Sequence, residues 1–276
     1  MLLPDNIDLS QTEKYILSLR ISDTTFSYSI HEPRVNGDFC YRETSFANDS
    51  DILNNIQSII FDYNFLTHKY KQTNVVFVSN NYELVPAYLI EKNKIRSLYN
   101  FTHNEKFTQI LSSPTPIQNN TILFGANDEL YKFLVRSLFN PQFYHHIDPI
   151  LRFVNGKNRI AAAQNKMYLH FNDQLTDISC YNSESKLLHV STLSNENNNN
   201  RIYHILNIWE KSNFDQRNDY IYVLGKSIDD KYQPIIDTLK EYIQNIEVTG
   251  IPNEVELLKL DEDIQIPLDL LILSIS

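Results

Sequence analysis

Leu17-Ser18-Leu19-Arg20-Ile21-Ser22-Asp23 and, 150 positions later, Met167-Tyr168-Leu169-His170-Phe171-Asn172-Asp173 end alike on an aspartate after strand-like alternation. A period of two is what a β-strand with unlike faces requires. In the first stretch Ile16, Ser18 and Arg20 fall on one face, and Leu17, Leu19 and Ile21 on the other. After the polar break Ser22-Asp23-Thr24-Thr25 the alternation resumes at Phe26, Tyr28 and Ile30, which predicts a tight hairpin over 15–32. A third strand over 38–45 follows the turn at Asn36-Gly37. Asn48, Asp49 and Ser50 then offer N-caps to a helix carrying Ile52, Leu53, Ile56, Ile59, Ile60 and Tyr63. The run Val75-Val76-Phe77-Val78 has no polar alternation, so it reads as a strand buried on both faces, as in a parallel sheet.

The second stretch leads into the same order. Strands are expected over 176–181 and 186–192, Asn195 to Asn200 as a solvated loop, and a helix through Ile202, Ile205, Leu206 and Trp209. A buried strand Tyr220-Ile221-Tyr222-Val223-Leu224 follows, then a helix with Tyr232, Ile235, Ile236, Leu239, Tyr242 and Ile243, and a strand near Ile246 to Val248. Each half is therefore three strands, helix, strand, helix, strand. Material around 106–139 lacks a counterpart: a hairpin (106–112 and 121–124) around Pro114 and Pro116, and a capped helix from Asn127 to Phe139. A short strand is expected over 143–147, and a boundary in Asn155-Gly156-Lys157-Asn158 divides the halves into 1–156 and 157–276. The terminal run Ile266 to Ile275, which contains Pro267 and Asp269, reads as a buried strand or short helix.

Composition narrows the function. The chain has five glycines in 276 residues, Gly37, Gly125, Gly156, Gly225 and Gly250, against about 19 at average usage. Loops that hold phosphate use glycine to bring bare backbone N–H groups to the ligand. No two of these glycines are spaced for a GxGxxG loop or a P-loop. Frequent Asn, Ile, Tyr and Lys fit an A- and T-rich genome, a bias that seldom removes a glycine that backbone geometry requires. A net charge of -10 and the absence of any Lys/Arg run oppose a nucleic-acid partner. Cys40 and Cys180, both in strand-like runs, read as buried thiols in a reducing cytoplasm. No basic, apolar leader and no membrane-length apolar run is present in the sequence. The expected setting is cytoplasmic, with a protein partner, no nucleic acid and no membrane.

A three-strand meander running into helix, parallel strand and helix, met twice, resembles the actin-like ATPase superfamily with its paired ribonuclease H-like domains. In order and length the whole chain is similar to an uncharacterised Bacteroidetes family with that fold. The resemblance implies an α/β class with mixed sheets in two lobes. It also implies that phosphate turns of the form DxG[ST] lie between the first two strands of each lobe, facing a ligand in the interlobe cleft. The first turn, Asp23-Thr24-Thr25-Phe26, keeps the Asp but has Thr25 in the glycine position and Phe26 in the hydroxyl position. The second, Asp173-Gln174-Leu175-Thr176, keeps Asp173 and Thr176 and again lacks the glycine. A side chain there disfavours positive φ and keeps N–H groups away from a phosphate. The superfamily's adenosine loop, normally with paired glycines, matches Val223-Leu224-Gly225-Lys226-Ser227, which has one. Its likeness to a P-loop ending is accidental, since the pattern needs glycine where Tyr220 stands.

The expectation is an actin-like binding or scaffolding protein with degenerate nucleotide loops, no catalytic residues and no cofactor. The alternative is an ATP-binding switch or weak ATPase that uses ATP with Mg. There Asp23 and Asp173 would position a metal-bound water, Thr24 and Thr25 would line the first turn, and Gly225, Lys226 and Ser227 would meet the nucleotide. A ribonuclease H-type nuclease needs converging carboxylates, and the strand Val75 to Ser79 ends in Asn80-Asn81 instead. His145-His146-Ile147-Asp148 is the densest ligand-like cluster. Read as a strand, it puts His146 and Asp148 on one face, too few ligands for a metal, so a structural role is expected.

Overall fold

A computed structural model describes residues 7–33, 38–46, 51–91, 93–103, 107–158, 164–172, 175–194, 197–225, 230–250 and 265–274. The first sheet opens with β1 (Ile16–Ile21), β2 (Thr25–His31) and β3 (Phe39–Ser45), an antiparallel meander. Helix α1 (Ile52–Asp62) leads to β4 (Gln72–Phe77), which lies parallel to β1. The predicted cap candidates at 48–50 lie outside the described residues; Asp51 takes the N-cap position without a side-chain hydrogen bond. Val75 and Val76 are fully buried, as the unalternated run requires.

Between β4 and the last strand of this sheet comes an inserted unit of its own. It consists of β5 (Tyr82–Pro86), α2 (Ile95–Thr102), β6 (Gln109–Thr115) and β7 (Asn120–Ala126), paired in the order β5-β7-β6. Its core is Val85, Tyr99 and Leu123, with Phe107 packed against it. The β6–β7 connection spans the four residues 116–119, of which Gln118 and Asn119 have positive φ (52° and 54°). Helix α3 (Asp128–Ser137) follows, its first N–H groups capped by Asn127 Oδ1 at 3.0 Å. Strand β8 (Pro141–His145) then joins β4 in parallel and completes the order β3-β2-β1-β4-β8.

One expectation changes here. His145 ends the strand and Ile147 begins helix α4 (Ile147–Asn158), so the alternation argument fails for Ile147 and Asp148. Residues 155–158, at the expected boundary of the halves, are the last turn of that helix. Pro149 sits in its first turn, where the missing N–H costs nothing.

The second sheet repeats the arrangement: β9 (Lys166–Phe171), β10 (Leu175–Tyr181) and β11 (Leu187–Ser194), helix α5 (Asn198–Lys211), β12 (Tyr220–Leu224), helix α6 (Gln233–Lys240) and β13 (Asn245–Thr249). Its order is β11-β10-β9-β12-β13, with the same antiparallel and parallel pairs in the same places. Asn198 to Asn200 are the first turn of α5 and not a loop, because Asn197 caps the helix through Asn200 N–H at 2.8 Å. Met167, Leu169, Ile178, Cys180, Ile221 and Val223 meet Ile205, Trp209, Ile235, Ile236 and Leu239 in one core. Both cysteines are buried, and burial pushes the Cys180 thiol up to about 12.

The chain forms two compact units, Met1–Thr115 with Asn119–Pro149 and Asn253–Ser276, and Pro116–Gln118 with Ile150–Pro252. The units depart from the sequence halves at the C-terminus. Helix α7 (Leu268–Ser274) belongs to the first unit, where Asp269 meets Arg20 of β1 in a buried ion pair at 2.9 Å. No helix among the described residues is long and apolar enough to cross a membrane.

Candidate functional site

The β1–β2 turn is built around Ser22. Its N–H donates to Thr25 O at 3.0 Å, closing the hairpin. Its Oγ accepts from the N–H of Thr25 at 2.9 Å and of Thr24 at 3.3 Å, and shares a proton with Thr25 Oγ1 at 2.7 Å. This is a serine turn, in which a side-chain oxygen takes backbone donors that a phosphate would otherwise meet. Asp23 and Thr24 are exposed at its tip and Thr25 is half-buried. No residue of the turn has positive φ; the described non-glycine residues that do are Gln118, Asn119, Asn140, Ser185 and Asn213. The turn therefore closes without the left-handed residue a glycine would supply.

The β9–β10 turn is closed in the equivalent way, by Asn172 N–H to Leu175 O at 2.9 Å and the reverse bond at 3.3 Å. Asp173 and Gln174 lie outside the described residues. In the loop after β12, Gly225 has φ 146°, a backbone angle that L side chains rarely adopt, and its N–H reaches Thr249 O on β13 at 3.3 Å. That backbone angle is a demand the position makes on its residue. Lys226 and Ser227 lie outside the described residues.

An aromatic pair and an arginine meet in the second unit. Phe171, at the end of β9, stacks on Tyr232, just before α6, with centroids 4.6 Å apart and planes 18° apart. The Arg201 guanidinium, from the first turns of α5, lies 6.0 Å from the Phe171 ring and 5.6 Å from the Tyr232 ring. Burial depresses the Arg201 pKa, and Tyr232 acts in the opposite sense. On the other face of β9, His170 Nδ1–H donates to Asp177 Oδ2 at 2.9 Å, and Thr192 Oγ1 donates to Asp177 Oδ1 at 2.6 Å. Such a carboxylate fixes the imidazole's orientation and tautomer.

The His145 cluster is brought together differently from the strand reading. His145, His146 and Asp148 are all fully buried. Ser79 Oγ lies 3.2 Å from His145 Nε2, Ser113 Oγ donates to Asp148 Oδ2 at 2.8 Å, and the Tyr82 ring sits 4.6 Å from the His145 ring. Among the described residues no three His, Cys, Asp or Glu side chains are placed to hold a metal.

Sequence reasoning passed over Ser22, Arg201 and the His170–Asp177 pair. The first was readable: Ser three positions before Thr is a turn-forming pattern. The third was too, because a two-residue turn at 173–174 puts 170 opposite 177. Arg201 gave no signal, since its burial depends on rings that are distant in sequence.

A family model described as "Protein of unknown function (DUF3822)" matches residues 4–246. The chain belongs to the DUF3822 family. Among solved structures, this DUF3822 chain is similar to a Bacteroides thetaiotaomicron protein with actin-like ATPase fold and unknown function. The two are 24% identical, with TM-score 0.79, over 91% of this chain and 97% of that one. It is also similar to a structure of the PilM-PilN type IV pilus biogenesis complex, at 13% identity and TM-score 0.54, over 94% and 97% of the two chains. These likenesses establish a mixed α/β, actin-like ATPase fold. No curated protein matches the sequence.

Proposed function

We propose that this DUF3822 protein is a cytoplasmic, non-catalytic binding or scaffolding protein that uses the actin-like fold without a nucleotide. The observation that carries the reading is the Ser22 turn, whose backbone donors at Thr24 and Thr25 are already bonded within the turn. A phosphate at this turn would have to displace those bonds, and no glycine lets the backbone rearrange at low cost. The stacked Phe171 and Tyr232 rings, from the end of β9 and the start of α6, fill space with apolar side chains in the second unit and add support.

The test is thermal unfolding with and without millimolar ATP and Mg2+. The expected result is an unchanged melting temperature, because a ligand stabilises only the state it binds. A rise that disappears in Asp23→Ala would overturn the proposal in favour of the ATP-binding switch.

A further inference from the structure

Arg201 is 6% exposed, and its Nε and Nη1 are buried without a hydrogen-bond partner. Among the described residues no carboxylate pairs with it. A guanidinium stays charged at any pH the protein meets, and burying an unpaired charge is costly. Facing aromatic rings recovers part of that cost but leaves the N–H groups unanswered. The surroundings are also electropositive. Arg201 is the fourth residue of α5, so it lies beside the positive end of a 14-residue helix. Lys231 Nζ lies 4.9 Å from the centroid of the Tyr232 ring that Arg201 also faces. Two cations, one of them from the first turn of α5, thus meet the Tyr232 ring.

We propose that Arg201 is the central cation of a small-oxyanion site in the second unit, one that accepts the phosphate or carboxylate group of a small molecule. The anion supplies the missing acceptors for Nε and Nη1, and the Phe171–Tyr232 stack forms an apolar wall that keeps water from competing. This goes beyond the scaffold reading, which needs no ligand at all.

The experiment is thermal unfolding of the full chain in an anion-poor zwitterionic buffer, titrated separately with inorganic phosphate and with acetate. The expected result is a saturable rise of about 3 °C with at least one of the two. Arg201→Met is expected to melt no lower than wild type without anion, having lost an unpaired buried charge, and to show no anion response. Should Arg201→Met fail to fold, Arg201→Lys decides: it keeps the charge but loses the planar fork, and its half-saturating anion concentration is expected to rise about tenfold. A response to phosphate alone assigns a phosphate group, and a response to acetate alone a carboxylate. No response to either anion in wild type, or an equal response in the variants, overturns the site. An ATP-induced shift that survives Asp23→Ala but vanishes in Arg201→Met belongs to this site and overturns the nucleotide-free part of the scaffold reading; one lost in Asp23→Ala defeats that reading and leaves this site standing.

Discussion

His31 sits on β2 with neither ring nitrogen hydrogen-bonded, and burial pushes its pKa down to about 4 from an ordinary value of 6.5. The second cause acts in the same direction, through the positive charge of Lys71. In the unfolded chain the imidazole takes up a proton as pH falls through 6.5, while in the folded chain it stays neutral until about 4. Stability is therefore complete above pH 6.5 and is lost as pH falls from 6.5 to about 4. The two pKa values set a loss of about 3 kcal/mol from this one residue. His31→Phe, which keeps the ring volume beside Phe39, is expected to flatten that acid limb in urea melts taken at pH 7, 5.5 and 4.5. An unchanged slope would move the acid sensitivity to other groups.

At the scale of elements, Gly125 shows what a single position controls. It lies in β7 where a Cβ would run into the Phe107 ring, a member of the inserted unit's core. Gly125→Ala is expected to destabilise the protein by about 2 kcal/mol through overpacking. Pairing it with Phe107→Ala is expected to give less than the sum of the two single losses, measured as a double-mutant cycle in urea. The legible elements were those with strong periodicity: the two meanders, the unalternated β4 and β12, and α3 with its Asn127 cap. β5 was hidden because it is short and ends on Pro86, and α2 because Lys94 at its N-cap offers no capping oxygen. Helix α4 was hidden because His145-His146-Ile147-Asp148 reads as strand and Asn155-Gly156-Lys157-Asn158 as a boundary, although Pro149 in its first turn is compatible with a helix start. Of the candidate site, the absence of glycine in the turns was visible. Ser22 as a turn former was readable too, but which backbone donors of the β1–β2 turn it takes was not, because that depends on a rotamer. The burial of Arg201 depends on the packing of three elements and has no local trace.

On the scale of the molecule, the first sheet is complete only with the C-terminal helix. All six residues of β1 are buried, and the polar ones are answered individually: Ser18 Oγ accepts from Asn74 Nδ2 at 3.0 Å, and Arg20 meets Asp269 at 2.9 Å. Burial alone would depress the Arg20 pKa, and the Asp269 carboxylate more than offsets it. Asp269→Asn leaves the guanidinium buried without a counter-charge and is expected to cost about 3 kcal/mol. The double change Arg20→Met with Asp269→Leu, which removes both charges, is expected to recover most of that loss. A double variant no more stable than Asp269→Asn would mean that the unpaired guanidinium is not the source of the loss.

The same pair sets an order of events during synthesis. Arg20 leaves the ribosome 249 residues before the aspartate that neutralises it. At about 5–20 residues per second the interval is roughly 12–50 seconds. Through that time the central strand of the first sheet carries a charge whose partner is not yet made, whereas the second unit, whose described core lies within residues 167–246, is free to fold first although it is made later.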